Sequence, residues 1–244
     1  MSEFIKFSDI DLNHLESWKG KKIISFDIDW TIDEVILDVI ELVEQFDVKC
    51  TFFVTHDTPV LEKLRTNENI QLGIHPNFNP LIDSQEEANT ARRTLEKLME
   101  IVPEATVIRS HSMTHSARWL SMYKEFGLTH LSQYYMGGVE TIQPFKHVNG
   151  LIETPVYFAD DGYIFVQDHK EWKNDSIDKI LGDAKYIKVY NFHPIHLTLN
   201  TDSFDFYNET RNAHQNWNAL LKCVNAGFGA RTILKLLMTD NGNR

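Results

Sequence analysis

The sequence predicts an α/β protein with a mostly parallel sheet, either doubly wound or closed into a barrel. Apolar strand-like runs alternate with stretches of helical periodicity along much of the chain, and repeated strand–helix units require parallel strands. The 244 residues suit one large domain. No linker, repeat or low-complexity segment divides them, so residues 1–244 are expected to form a single domain.

The elements follow in order. Ile23-Ile24-Ser25-Phe26 reads as a buried strand. Ile36, Val39, Ile40 and Val43 fall at i, i+3, i+4, i+7, which predicts a helix over residues 34–46. Thr31 with Glu34 fits a capping box, so this helix is expected to start at once. Residues 50–54 and 70–74 read as strands, and 84–102 as a helix with a Ser84/Glu87 capping box, ended by Pro103. A strand over 105–108 and a helix over 118–126 come next. Beyond them, 148–158 and 163–167 look extended and 177–181 helical. Residues 185–192 form a strand, 211–224 a helix, and 229–232 a last strand leading into 233–238.

Composition narrows the function. Hydrophobic residues at 42% and charged residues at 24% exclude a wholly disordered chain. A net charge of −11, with no Lys/Arg-rich run, leaves no electrostatic footprint for nucleic acid or an anionic membrane. No apolar run approaches the roughly 20 residues a membrane helix needs. The first residues lack the apolar core of a signal peptide, and Cys50 and Cys223 show no metal-ligand spacing. A reduced, cytoplasmic protein is expected.

In such folds the reacting residues gather at the carboxyl ends of strands. The first strand ends in Phe26-Asp27-Ile28-Asp29-Trp30, and alternation puts Asp27 and Asp29 on one side. Paired carboxylates repel unless a cation or proton lies between them. The third strand runs into His75-Pro76-Asn77-Phe78-Asn79, where a turn puts His75 and Asn79 on one face. His75 with the Asp pair makes a metal site suited to zinc, iron, cobalt or nickel. Arg109, just past the fourth strand, is placed to orient a carboxylate. His111 and His115 read as metal ligands, substrate contacts or loop residues. His193, stiffened by Pro194 after the last confident strand, suits a general acid. Trp30 and Phe78 read equally as exposed stacking aromatics or core residues.

Together these segments resemble the polysaccharide deacetylases, the NodB-homology fold of carbohydrate esterase family four. The resemblance rests on Asp27-Ile28-Asp29, Thr51-Phe52-Phe53-Val54 before His75-Pro76-Asn77-Phe78-Asn79, Arg109-Ser110-His111-Ser112 and Phe192-His193-Pro194. Within the family, the segments are nearest to the WbmS-type proteins of surface-polysaccharide gene clusters. The resemblance implies a distorted (β/α) barrel of about seven mostly parallel strands. It also implies a metal-dependent hydrolase, zinc first among the metals, that removes an acetyl group from a sugar, nucleotide sugar or lipid-linked glycan. Carried over, Asp27 is the base, held by Arg109; Asp29 and His75 are ligands; His193 is the acid. Asn79 stands where the family has a second histidine. It ligates through its amide oxygen, yields to water or His111, or marks an inactive sugar-binding relative. Asp160 and Asp161 are candidates for the family's remaining acidic motif, and Asp161, His111 and Trp30 for substrate contacts.

A rival resemblance covers the first fifty residues. Asp27-Ile28-Asp29-Trp30-Thr31 is similar to the loop of haloacid-dehalogenase-type Mg²⁺ phosphatases, with Asp27 as nucleophile. That reading uses Thr55 and Lys146 but leaves His75, Arg109 and His193 without roles.

Overall fold

The computed structural model describes residues 3–81, 87–166 and 174–239. Its strands are β1 (Lys21–Asp27), β2 (Cys50–Val54), β3 (Ile70–Ile74), β4 (Val107–Ile108), β5 (His130–Leu131), β6 (Phe145–Lys146), β7 (Ile152–Glu153), β8 (Phe158–Ala159) and β9 (Ile187–Phe192). The first helices are α1 (Asp33–Glu44), α2 (Val60–Arg65), α3 (Glu87–Ile101), α4 (Leu120–Glu125) and α5 (Asp160–Val166). They are followed by α6 (Asn174–Leu181), α7 (Pro194–Leu199), α8 (Phe204–Thr210), α9 (Trp217–Leu220) and α10 (Ala230–Thr239).

The strands form one curled sheet in the order β6-β7-β5-β4-β3-β2-β1-β9-β8. Every pairing is parallel except β6 with β7. The described strands number nine rather than about seven. The excess lies in two-residue ladders such as β6, too short for any periodicity to announce. β1 lies inside the sheet, with Ser25 opposite Thr51 of β2 on one side and Asn191 of β9 on the other. β1 and β2 are almost wholly buried, because helices cover the outer face and the curl closes over the inner one.

Phe26, Phe52, Phe53, Ile74, Val189 and Phe192 anchor the main core. Gly73 lets β3 approach its neighbours: a Cβ there would lie 2.7 Å from Val107 and 2.9 Å from the Phe53 ring. Both neighbours are fully buried. Gly73→Ala is therefore expected to cost about 1–3 kcal/mol by overpacking, measured by urea unfolding.

The structure departs from the sequence reading in four places. α1 starts at Asp33 with Ile32 as a cap that makes no side-chain bond, so the Thr31/Glu34 box is not formed. Asp33 instead accepts a 2.5 Å hydrogen bond from Thr58. Residues 160–166, partly read as extended, form α5, with Asp160 and Asp161 in its first turn, where the helix dipole favours acids. The helix read over 211–224 breaks at Asn216, which caps α9 by accepting from the Ala219 N–H. Residues 230–239 form α10, not a strand, because Ile233, Leu234, Leu237 and Met238 bury one helical face. Ser84 of the other capping box lies outside the described residues. No described helix is long and apolar enough to cross a membrane.

Candidate active site

The carboxyl ends of β1, β3, β4, β8 and β9 meet at one mouth of the curled sheet. Asp27 ends β1 and is buried. Alternation brings Ser25 to the same face, and Asn191 reaches it from β9. Arg109 follows β4 and is wholly buried. Its Nη1 donates to Asp27 Oδ1 at 3.0 Å and to Ser25 Oγ at 2.9 Å, and its Nη2 donates to Ser132 Oγ at 3.0 Å. Its guanidinium lies 4.3 Å from the centre of the Phe53 ring. Asn191 Nδ2 donates to the other oxygen of Asp27 at 2.7 Å. Burial alone would raise the Asp27 carboxyl, but His75 and Arg109 outweigh it and hold the group below the usual carboxylate range. Arg109→Met would leave a buried carboxylate uncompensated. The expected cost is about 3–5 kcal/mol, read from the denaturation midpoint.

Asp29 sits in a tight turn after β1. Its φ is 38° and that of Trp30 is 53°, both left-handed. Thr55 Oγ1 accepts the Trp30 N–H at 3.1 Å, and Ile28 O accepts the Thr31 N–H at 2.9 Å. This turn aims Asp29 back over the sheet mouth. There its Oδ1 meets two imidazoles, His75 Nε2 at 3.2 Å and His111 Nδ1 at 3.2 Å. His75 Nδ1–H donates to the Arg109 carbonyl at 2.7 Å, because a carbonyl only accepts. In the neutral ring Nε2 then carries a lone pair. It is buried, makes no hydrogen bond, and faces a carboxylate oxygen. A lone pair aimed at an anion calls for a proton or a cation between them, and Asp29, His75 and His111 together offer the donors of a divalent metal. Their ligand atoms lie within 4.8 Å of one another. Burial would raise the Asp29 carboxyl; the imidazoles of His111 and His75 reverse this and hold it far below the ordinary value.

Asn79 bonds to the loop that carries His111. Its Nδ2 donates to Ser112 Oγ at 3.2 Å and its Oδ1 accepts from Thr114. The amide thus ties down the loop that carries His111. The i, i+4 turn that would place it beside His75 is absent: His75 and Pro76 continue from β3, and Asn79 opens a separate 3₁₀ turn. The expectation of Asn79 as a ligand meets a competing donor here, because His111 Nδ1 lies 3.2 Å from Asp29 Oδ1.

His193 follows β9. Its Nδ1–H donates to Asp160 Oδ1 at 2.7 Å and its backbone N–H to Asp160 Oδ2 at 2.9 Å. Asp160 is fully buried at the start of α5. The pair turns His193 Nε2 toward Asp29 Oδ2 at 3.6 Å and Asp27 Oδ2 at 3.9 Å. Burial would depress this imidazole, but Asp161 and Asp160 outweigh it and raise it well above its ordinary value. This raised proton affinity suits the ring to act as an acid.

A cavity of about 520 Å³ opens beside these groups, lined by Asp29, Trp30, His111, Asp161, His193, His196, Tyr207 and His214 among others. Trp30 is 42% exposed and meets His111 edge-on at 5.2 Å. Phe78 is a core residue, fully buried against Trp119. His115 packs against Tyr134, away from the cluster. Lys146, which the phosphatase resemblance needs, is exposed on edge strand β6. Sequence reasoning did not single out Ser25, Asn191, Tyr207 or His214. Ser25 and Asn191 did carry a signal, as polar residues inside otherwise apolar strand runs. Tyr207 and His214 carried none, because no strand end points to them.

The curled, mostly parallel sheet is the fold of the polysaccharide deacetylases. The model of the WbmS-like polysaccharide deacetylases matches residues 24–211. The chain belongs to that family. A Bordetella bronchiseptica structure, assigned as a polysaccharide deacetylase involved in O-antigen biosynthesis, is similar at 34% identity and a TM-score of 0.87, over 98% of both chains. A Mycobacterium smegmatis structure assigned as a polysaccharide deacetylase shares the fold at 20% identity and a TM-score of 0.51, over 72% of this chain and 78% of that one. The search of curated proteins returned no match.

Proposed function

We propose that the protein is a metal-dependent deacetylase that hydrolyses an acetamido (or O-acetyl) group on a sugar. One observation carries this reading: a base-like carboxylate clamped by Arg109 and an acid-like imidazole clamped by Asp160 face each other across the Asp29/His75/His111 cluster. A divalent ion held by those three residues, zinc first among the candidates, would polarise the acetyl carbonyl and make water acidic at neutral pH.

The chain's own residues do the rest. Asp27, with both oxygens already oriented by Arg109 and Asn191, accepts a proton as water adds to the acetyl carbon. The carbonyl π electrons move to oxygen, where a cation held by Asp29, His75 and His111 would offset the charge. As the oxyanion collapses, the C–N bond breaks. His193 Nε2–H gives its proton to the leaving nitrogen, and Asp160 stabilises the charge on the ring throughout. Acetate and an amine leave. In the ester case the leaving atom is the sugar oxygen.

The cavity lining includes the carboxylates Asp29 and Asp161, and no lysine or arginine among the described residues. This supports a neutral sugar or glycan over a nucleotide sugar, whose diphosphate needs cations. Cys50 and Cys223 are both free thiols, in keeping with a cytoplasmic site of action. The test is acetate release from a panel of acetylated sugars by the zinc-loaded protein, with metal content measured in parallel. Release that depends on added metal supports the reading. Stoichiometric metal with no release from any sugar would instead favour an inactive sugar-binding relative.

A further inference from the structure

The catalytic groups occupy one end of the cavity, and the segment after α7 builds the other. Tyr207 of α8 has its ring centre 4.8 Å from that of His196 and 4.8 Å from that of His214. His196 is in turn 5.7 Å from catalytic His193. Four rings thus form a column running outward from the reacting centre. His214, at its outer end, is only 9% exposed yet lines the cavity.

The hydrogen bonding fixes what His214 presents. Thr210 has one hydroxyl proton, and its Oγ1 lies 3.0 Å from the Phe206 carbonyl, which only accepts. The Thr210 oxygen is therefore the acceptor in its 3.2 Å contact with His214 Nε2, and Nε2 carries the ring proton. Nδ1 is left with a lone pair. Burial pushes the His214 imidazole down to about 4, so the lone pair persists at neutral pH. A neutral acceptor repels phosphate and carboxylate oxygens but takes a hydrogen bond from a hydroxyl. Asp161, a second acceptor lining the same cavity, offers the same complement; one of its oxygens accepts the Gly162 N–H.

We propose that His214 is a specificity-determining residue, whose Nδ1 accepts a hydrogen bond from one hydroxyl of the sugar that carries or adjoins the acetyl group. This rests on the deacetylase reading for the identity of the ligand but not for the geometry. A site built to pair a hydroxyl rejects the analogue that lacks it, because a buried polar group is then left unpaired.

The test uses the zinc-loaded full chain and five probes: the methyl glycosides of N-acetylglucosamine and N-acetylgalactosamine, and the 3-, 4- and 6-deoxy analogues of the better binder. Affinities are read by calorimetry, and kcat and KM by acetate release. His214→Leu removes the acceptor. His214→Asn keeps an acceptor where Nδ1 stood. The wild type is expected to lose about tenfold in affinity for one deoxy analogue, roughly the worth of one paired hydroxyl. His214→Leu should lose about tenfold for the parent sugar and nothing further for that analogue, with KM raised and kcat unchanged. His214→Asn should recover most of the loss. Equal losses across all analogues, or none in His214→Leu, overturn the proposal while leaving deacetylation intact. Hydroxyl-specific coupling without acetate release overturns deacetylation and leaves this proposal standing. A wild type that binds none of the probes overturns it.

Discussion

Asp27→Asn is expected to lower kcat by about a hundredfold to ten-thousandfold, the usual worth of a general base, while metal content stays unchanged. The amide keeps an oxygen that can accept from Arg109 but has no lone pair basic enough to take a proton from water. Asp29→Asn is expected to lose both turnover and metal. The contrast follows from geometry. Both oxygens of Asp27 are engaged by Arg109 and Asn191. Asp29 instead directs one oxygen at two imidazole nitrogens. Activity assays beside elemental analysis of both variants check the assignment. Equal metal loss in the two would show that Asp27 is a ligand and not the base. Because Asp27 also compensates buried Arg109, the unfolding midpoint of each variant should be measured in the same series.

The second large effect concerns the third ligand. His75→Ala and His111→Ala are each expected to lower zinc affinity by about a hundredfold or more, since each removes one of three protein donors. Asn79→Ala should change it far less, because its amide holds Ser112 and Thr114 rather than the cluster. Competition against a chromogenic chelator gives the three constants. If Asn79→Ala matches His75→Ala while His111→Ala stays near wild type, the ligand set is Asp29, His75 and Asn79. A modest loss in Asn79→Ala has a different cause: the loop bearing His111 loosens, and the ion must then bear the entropy of ordering it.

Much of the sheet was legible because its strands are continuous apolar runs bounded by turns, and a buried parallel strand leaves that mark. The site positions at strand ends were legible for the same reason. Finding where β1, β3, β4 and β9 stop finds Asp27, His75, Arg109 and His193. The step from His75 to Asn79 was not legible. It assumed a helical turn where the chain runs straight on from β3, and local spacing says nothing about a histidine arriving from the next strand. Asp160 was harder to separate from Asp161. The two are adjacent, and only the fold shows that Asp160 bonds both the ring and the backbone of His193, while Asp161 lines the cavity. The C-terminal third was misread where short helices replaced one long one, because Asn216 is a strong cap whatever the periodicity around it.

The pairing of β1 with β9 has a consequence for assembly on the ribosome. Lys21 pairs with Ile187 and Phe26 with Phe192, so the sheet is completed only by contacts of very long sequence separation. Such contacts form late and slowly, since loop closure precedes any gain from them. All three metal-binding candidates, Asp29, His75 and His111, emerge in the first half of the chain. Asp160 and His193 emerge well after them. A nascent chain therefore displays its metal donors before it can position its proton donor. In order of synthesis the residues proposed to hold metal come first, and β9 brings the proposed proton donor last.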